Sequence, residues 1–248
     1  MACRLQIHFA VLVIALGLIG LVSCSAPRHD VASTTASTRT RIVEGLWIDL
    51  DQQYVEFRGW TCLDAGWLEQ VACSPGTREH ESLIVTDVAA SKIHAALLLL
   101  GLKPGTPGSW KTEGDEVIAI EPRGPGVMVE VAWTDEDGKT RRCGISQWIL
   151  DIQERTHYPT DRWIFAGSIE LKGEEAQRAA TSYLADRTGS IIGLVTFGDE
   201  VLAAEAVIPD EASVFEPEWV VSKRDVPNPG APVLVRLIPG QPGQTALE

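Results

Sequence analysis

Long hydrophobic runs are scarce. The longest, Phe9 to Val22, holds 14 apolar residues and glycines, too few to span a bilayer as a permanent helix. Basic residues are scarce as well: 21 Lys+Arg against 34 Asp+Glu give a formal charge of −13 and a pI near 4.8, which argues against a nucleic-acid partner because phosphate would be repelled. No Cys-x-x-Cys occurs, and only Cys62, Cys73 and Cys143 follow residue 24. That pattern argues against a thioredoxin-like motif and against a four-cysteine iron–sulfur cluster. His80-Glu81 has no second histidine at Leu83 or Ile84, so the zinc-protease pattern fails. What remains is a 248-residue chain, 45% hydrophobic and 22% charged, able to bury one sizeable core.

The amino terminus sets the compartment. Met1 to His8 carries Arg4 ahead of the apolar run, the arrangement of a secretory signal peptide. Its end, Leu21-Val22-Ser23-Cys24, resembles the lipobox of bacterial lipoproteins, in which the cysteine takes the lipid. The expectation is therefore a signal over 1–23, lipidation at Cys24 and a membrane contact made through acyl chains, at about 0.8 kcal/mol per buried CH₂. An exported, membrane-anchored lipoprotein on the periplasmic side or the cell surface follows. Residues 24–41 are rich in Ser, Thr and Ala without hydrophobic period and read as the lipidated Cys24 plus a flexible tether. The globular part runs over 42–240, with a tail at 241–248.

In an oxidising compartment three thiols allow one bridge and a remainder, and Cys62 with Cys73 is the nearest pair. A hairpin turning at Asp64-Ala65-Gly66 would set Cys62 opposite about residue 68 and Cys73 opposite about residue 57, so a Cys62–Cys73 disulfide stays open.

Strand-like stretches dominate: 42–49, 53–62, 67–73, 82–86, 117–121, 127–133, 139–145, 163–167, 180–185, 191–197 and 232–238. Asp137-Gly138 closes a hairpin between the sixth and seventh of them, and Asp186-Arg187-Thr188-Gly189 reads as a second such turn. The clearest helix is 92–100, capped by Ser91 and ended by Gly101, and its Leu97–Leu100 run predicts a helix sunk in the core. Prolines between 209 and 232 read as an irregular wrapping segment. The fold class is α+β, predominantly β: antiparallel sheets packed around one short buried helix, with a split near 154–161 as the alternative.

His80-Glu81-Ser82-Leu83, the block Ile93 to Gly105 with its four leucines, Trp163-Ile164-Phe165-Ala166-Gly167-Ser168 and Tyr183-Leu184-Ala185-Asp186 together resemble the YdjY-like domain family over about residues 60–238. That family comprises bacterial exported proteins and lipoproteins without an established activity. Some members carry a ferredoxin-like label. This chain lacks the cysteines such a cluster requires, so the resemblance implies no cofactor here.

Chemistry-bearing side chains gather at Cys73, Glu79, His80, Glu81 and His94. Imidazole, thiolate and carboxylate could hold Zn or Cu with one position open for a hydrolytic water. Cys-x6-His-x13-His matches no common zinc spacing, and a core histidine satisfied by one backbone partner is the favoured reading of His94. Gly144-Ile145-Ser146 is half a nucleophile elbow, and the Pro-Gly segments at 104–108 and 122–126 read as turns because proline removes amide donors. Eight tryptophans could line a ligand face or pack the core. The leading expectation is a non-enzymatic envelope protein that binds an unknown envelope protein or a small ligand, with no cofactor. The alternative is a metal-binding protein or metal-dependent hydrolase using His80, His94 and Cys73 or Glu81.

Overall fold

A computed structural model describes residues 39–240 apart from 115, 154, 179 and 210–217. The segments expected to be a signal peptide (1–23) and, up to residue 38, a tether, together with Cys24 and the tail 241–248, lie outside the described residues. The chain begins with β1 (Thr40–Val43), β2 (Leu46–Asp49), β3 (Tyr54–Thr61) and β4 (Gln70–Cys73). β5 (Ser82–Val85) and the helix α1 (Ala90–Leu99) follow. A separate hairpin pairs β6 (Ser109–Glu113) with β7 (Glu116–Ile120). Next come β8 (Gly126–Thr134), β9 (Thr140–Gly144), β10 (Ile149–Asp151) and β11 (Arg162–Phe165). The helices α2 (Gly173–Arg178) and α3 (Leu184–Thr188) precede β12 (Ser190–Gly193), β13 (Leu202–Ala203), β14 (Trp219–Val221) and β15 (Pro232–Pro239).

Among the described residues, eight strands pair in a ring: β3, β15, β8, β11, β13, β12, β4, β5 and back to β3. The ring is antiparallel except at β12/β13 and β4/β5. Its strands alternate with period two, so one face of each points inward. Val235 of β15 lies opposite Phe57 on one side and Val131 on the other, and all three are fully buried. Val129, Leu237, Trp163 and Phe165 complete the same filling, as an eight-stranded ring has room for side chains and little else. The indole N–H of Trp163 donates to the Gly193 carbonyl at 2.9 Å, so a large ring is buried with its polar atom satisfied.

The mostly-β α+β class holds, and β3, β5, β8, β9 and β15 fall where alternation placed them. Four expectations change. Residues 42–49 are not one strand but parts of the β1–β2 hairpin, turned at Gly45 with φ 76°. Residues 62–73 form no hairpin, because β3 and β4 each pair with β5 instead of with each other. Residues 180–185 are not a strand: α3 starts at Leu184, and Gly189 takes the left-handed position that ends it. Within the proline-rich stretch, Trp219–Val221 pairs with β10.

The helix differs from expectation too. α1 begins at Ala90, and the Ser91 amide donates to Asp186 Oδ1 at 2.8 Å, so α3 supplies the acceptor expected of a local cap. Ile93, Ala96 and Leu97 are buried, whereas Leu98 is 45% and Leu99 60% exposed. Among the described residues one face of α1 is packed and another is open. The Pro-Gly turns pack on each other at the end of β11. A Cβ on Gly105 would lie 1.8 Å from the Arg123 carbonyl, and one on Gly124 2.1 Å from that of Phe165. The described residues form one compact unit, with no division near 154–161 among them. Among the described residues no helix is long and apolar enough to cross a membrane.

Candidate functional site

Of the four side chains expected as metal ligands, only the adjacent His80 and Glu81 share surroundings. His80 lies on a 3-10 turn, Glu79–Glu81, with its side chain 76% exposed and 3.4 Å from Glu81, which also pairs with Arg78 at 3.2 Å. His94 projects from α1 toward the end of β11, where its Nδ1 lies 2.7 Å from the Tyr183 hydroxyl and 3.1 Å from the Gly167 carbonyl. The Tyr183 hydroxyl donates to the same carbonyl at 2.9 Å, so an Nδ1–H tautomer satisfies all three groups. Phe165 and Tyr183 meet the imidazole edge to face. Burial pushes the His94 pKa down, against the pull of the Gly167 carbonyl. Among the described residues no group of three or more His, Cys, Asp or Glu side chains converges as a ligand set.

Cys73 is buried on β4, with β5 between it and Cys62. Both thiols are free, as is that of Cys143. Ser146 is not presented as a nucleophile elbow would present it: it sits in a 3-10 turn, and its amide donates to Asp161 Oδ1 at 2.7 Å.

A concavity lies elsewhere. A cleft of about 370 Å³ opens where the β8–β9 hairpin meets the segment after β14. Trp133 and Trp148 form its apolar wall, ring centroids 5.3 Å apart, with Trp148 fully buried and its indole N–H without a partner. Arg141, Arg224, Asp135 and Asp225 give it charge, and Arg141 is held by Asp135 at 2.6 Å. Asp225 accepts from the Ser222 hydroxyl, and Arg224 is exposed at this rim. A smaller cavity of about 290 Å³ adjoins Trp133 and is lined by Ala132, Leu234, Val233 and Pro232 with Arg58. The tryptophans thus divide: Trp148 and Trp163 pack the core, and Trp133 stands half-buried at a cleft.

Sequence reasoning did not single out Arg224 or Glu200. Glu200 is fully buried before β13; one carboxylate oxygen accepts from the amides of Phe197 and Gly198, and the other is buried without a partner. Burial, only partly countered by those amides, pushes its pKa up to about 7. An acidic pair inside the apolar run Ile191–Ala204 is the signal that could have marked it.

A family model, the YdjY domain, matches residues 46–238. The chain belongs to the YdjY domain family. The matched span opens at the first residue of β2 and closes inside β15, so the YdjY domain contains every strand of the ring and both walls of the Trp133 cleft. No curated protein and no solved structure matches the chain.

Proposed function

We propose that this YdjY chain is a lipid-anchored cell-envelope protein, tethered through Cys24, whose barrel binds a small ligand outside the cytoplasm without turning it over. The observation that carries the reading is the cleft beside Trp133, where an aromatic wall and a guanidinium face one opening. An indole offers a flat apolar surface, and Arg224 offers a paired donor for a carboxylate. The ligand class that fits is a planar or aromatic molecule bearing one carboxylate. The leader supports the location, because a lipobox cysteine and a polar tether suit a domain held at a membrane surface.

Two measurements test this. Expressed in full, the chain enters the detergent phase on cloud-point separation and carries acyl mass on Cys24, and Cys24→Ser moves it to the aqueous phase. An aqueous wild-type chain with an unmodified Cys24 would overturn the anchor. In a thermal-shift screen of aromatic carboxylates, a true ligand at about a hundredfold its Kd adds roughly 2.7 kcal/mol to the unfolding free energy, a rise of several degrees in Tm. Arg224→Ala and Trp133→Ala lose that rise; a rise unchanged in both variants would place the ligand elsewhere.

A further inference from the structure

The hairpin of β6 and β7 stands apart from the ring as a two-stranded sheet. Its base is fixed, since Thr106 and Arg123 exchange both backbone hydrogen bonds at 2.9 Å below the strands. Above that base every residue of β7 is exposed, with Val117 at 66%, Ile118 at 39% and Ile120 at 41%. Two strands alone are marginal in water, and a row of free backbone groups beside apolar side chains invites a further strand. Other outer edges are guarded by cations: Arg41 on β1, Arg141 and Arg142 on β9, and Lys111 on β6. The sequence of β7, Glu-Val-Ile-Ala-Ile, has one charge, at its first residue Glu116, and among the described residues no strand pairs with its outer edge.

We infer that β7 of one copy pairs antiparallel with β7 of a second copy across a two-fold axis at Ile118, joining the chain into a dimer. The edge is complementary to itself. In this register Ile118 meets Ile118, Val117 meets Ala119 and Glu116 meets Ile120 of the second copy, so no charge is set against its like across the seam. Within each hairpin Trp110 lies opposite Ala119 and Thr112 opposite Val117, so these four side chains share a face. The small Ala119 then sits between its own Trp110 and Val117 of the second copy, and the indole can lie against that valine. Antiparallel pairing also carries the two acidic turns, with Glu113 and Glu116, to opposite ends of the seam, which favours association of chains whose formal charge is −13. The β6 edge has no such fit, since the same symmetry about its central residue sets Lys111 against Lys111. The acidic turn also argues against an anionic lipid surface as the occupant. The product is one four-stranded sheet, β6–β7–β7–β6, which passes the two-strand limit of the single chain. Two five-residue strands from each copy make an interface at or below the roughly 1,200 Å² at which stable complexes begin, so the dimer forms at micromolar concentration and dissociates on dilution.

The full chain in detergent is the sample for the test. Light scattering, with the detergent's share subtracted, is expected to give twice the single-chain mass at tens of micromolar and to fall toward one chain on dilution. Ile118→Lys, at an exposed residue outside the core, halves the mass at an unchanged Tm, because two ammonium groups then meet on the axis. Under mild oxidation Ile118→Cys gives a disulfide-linked dimer, its two sulfurs facing each other across the axis. Ile120→Cys gives none, since each residue 120 lies four positions, about 13 Å, along the strands from its counterpart, beyond the roughly 7 Å between Cα atoms that a disulfide can span. A single-chain mass at tens of micromolar, a dimer that Ile118→Lys leaves intact, or cross-linking as fast at residue 120 as at 118 would overturn the inference.

Discussion

Glu56→Ala lowers the unfolding free energy by about 3–5 kcal/mol in chemical denaturation, the range for breaking a buried ion pair by removing one partner. The Glu56 side chain is 2% exposed on β3 and receives two guanidinium groups. Arg236, its register partner on β15, donates from Nη2 at 2.9 Å and from Nε at 3.3 Å, while Arg39 bonds the other carboxylate oxygen. Arg236 also lies over the Tyr54 ring at 3.8 Å and Arg39 over Trp47 at 4.6 Å. Alanine leaves two cations packed on aromatic faces with no anion between them. Because the arginine side chains keep 33% and 21% exposure, water recovers part of the loss, and the lower end of the range is expected. A cost below about 1 kcal/mol would mean that the cluster is solvated. Arg39→Ala costs less than Glu56→Ala, since Arg236 still neutralises the carboxylate.

Glu200→Gln removes a pH dependence that the wild type shows between about pH 4.5 and pH 7. The folded pKa of Glu200, about 7, lies above the ordinary 4.5, so the folded state binds the proton more tightly than the unfolded state does. The associated stability is complete below pH 4.5 and is lost as pH rises through 7. At about 1.4 kcal/mol per pKa unit, the loss is roughly 3 kcal/mol by pH 8. The half-buried Asp135 and Asp151, whose carboxyls backbone amides hold below the usual range, act in the opposite sense and only at lower pH. Stability measured against pH for both chains separates the effects. The glutamine variant keeps the acid limb and loses the slope above pH 5; an identical slope in both would show that Glu200 is not the titrating group.

The legible parts of the fold are those specified locally. Asp137-Gly138 gives the β8–β9 turn, with Gly138 at φ 77°, and Gly101 at φ 86° ends α1, because each depends on a few neighbouring residues. Ring closure is not local. Pairing of β3 with β5 and of β12 with β4 joins distant segments through backbone groups that every residue carries, so no side-chain pattern announces it. The same non-locality undid the hairpin assumed for Cys62 and Cys73: β5 lies between their strands. Tyr183-Leu184-Ala185 alternates like a strand yet begins a helix whose Asp186 bonds the α1 backbone. His80 and His94 looked close in sequence, but a 3-10 turn and a helix turn them to different surroundings. Arg224 was hidden among prolines, and only the fold brings it beside Trp133.

The indole N–H resonances of the eight tryptophans, followed while an aromatic carboxylate from the screen is titrated in, test the binding cleft most directly. Trp133 and Trp148 resonances are expected to move together and saturate, while those of Trp67 and Trp110, exposed at 59% and 39%, stay in place. Saturable movement of Trp67 or Trp110 with Trp133 unmoved would contradict a ligand site in this cleft.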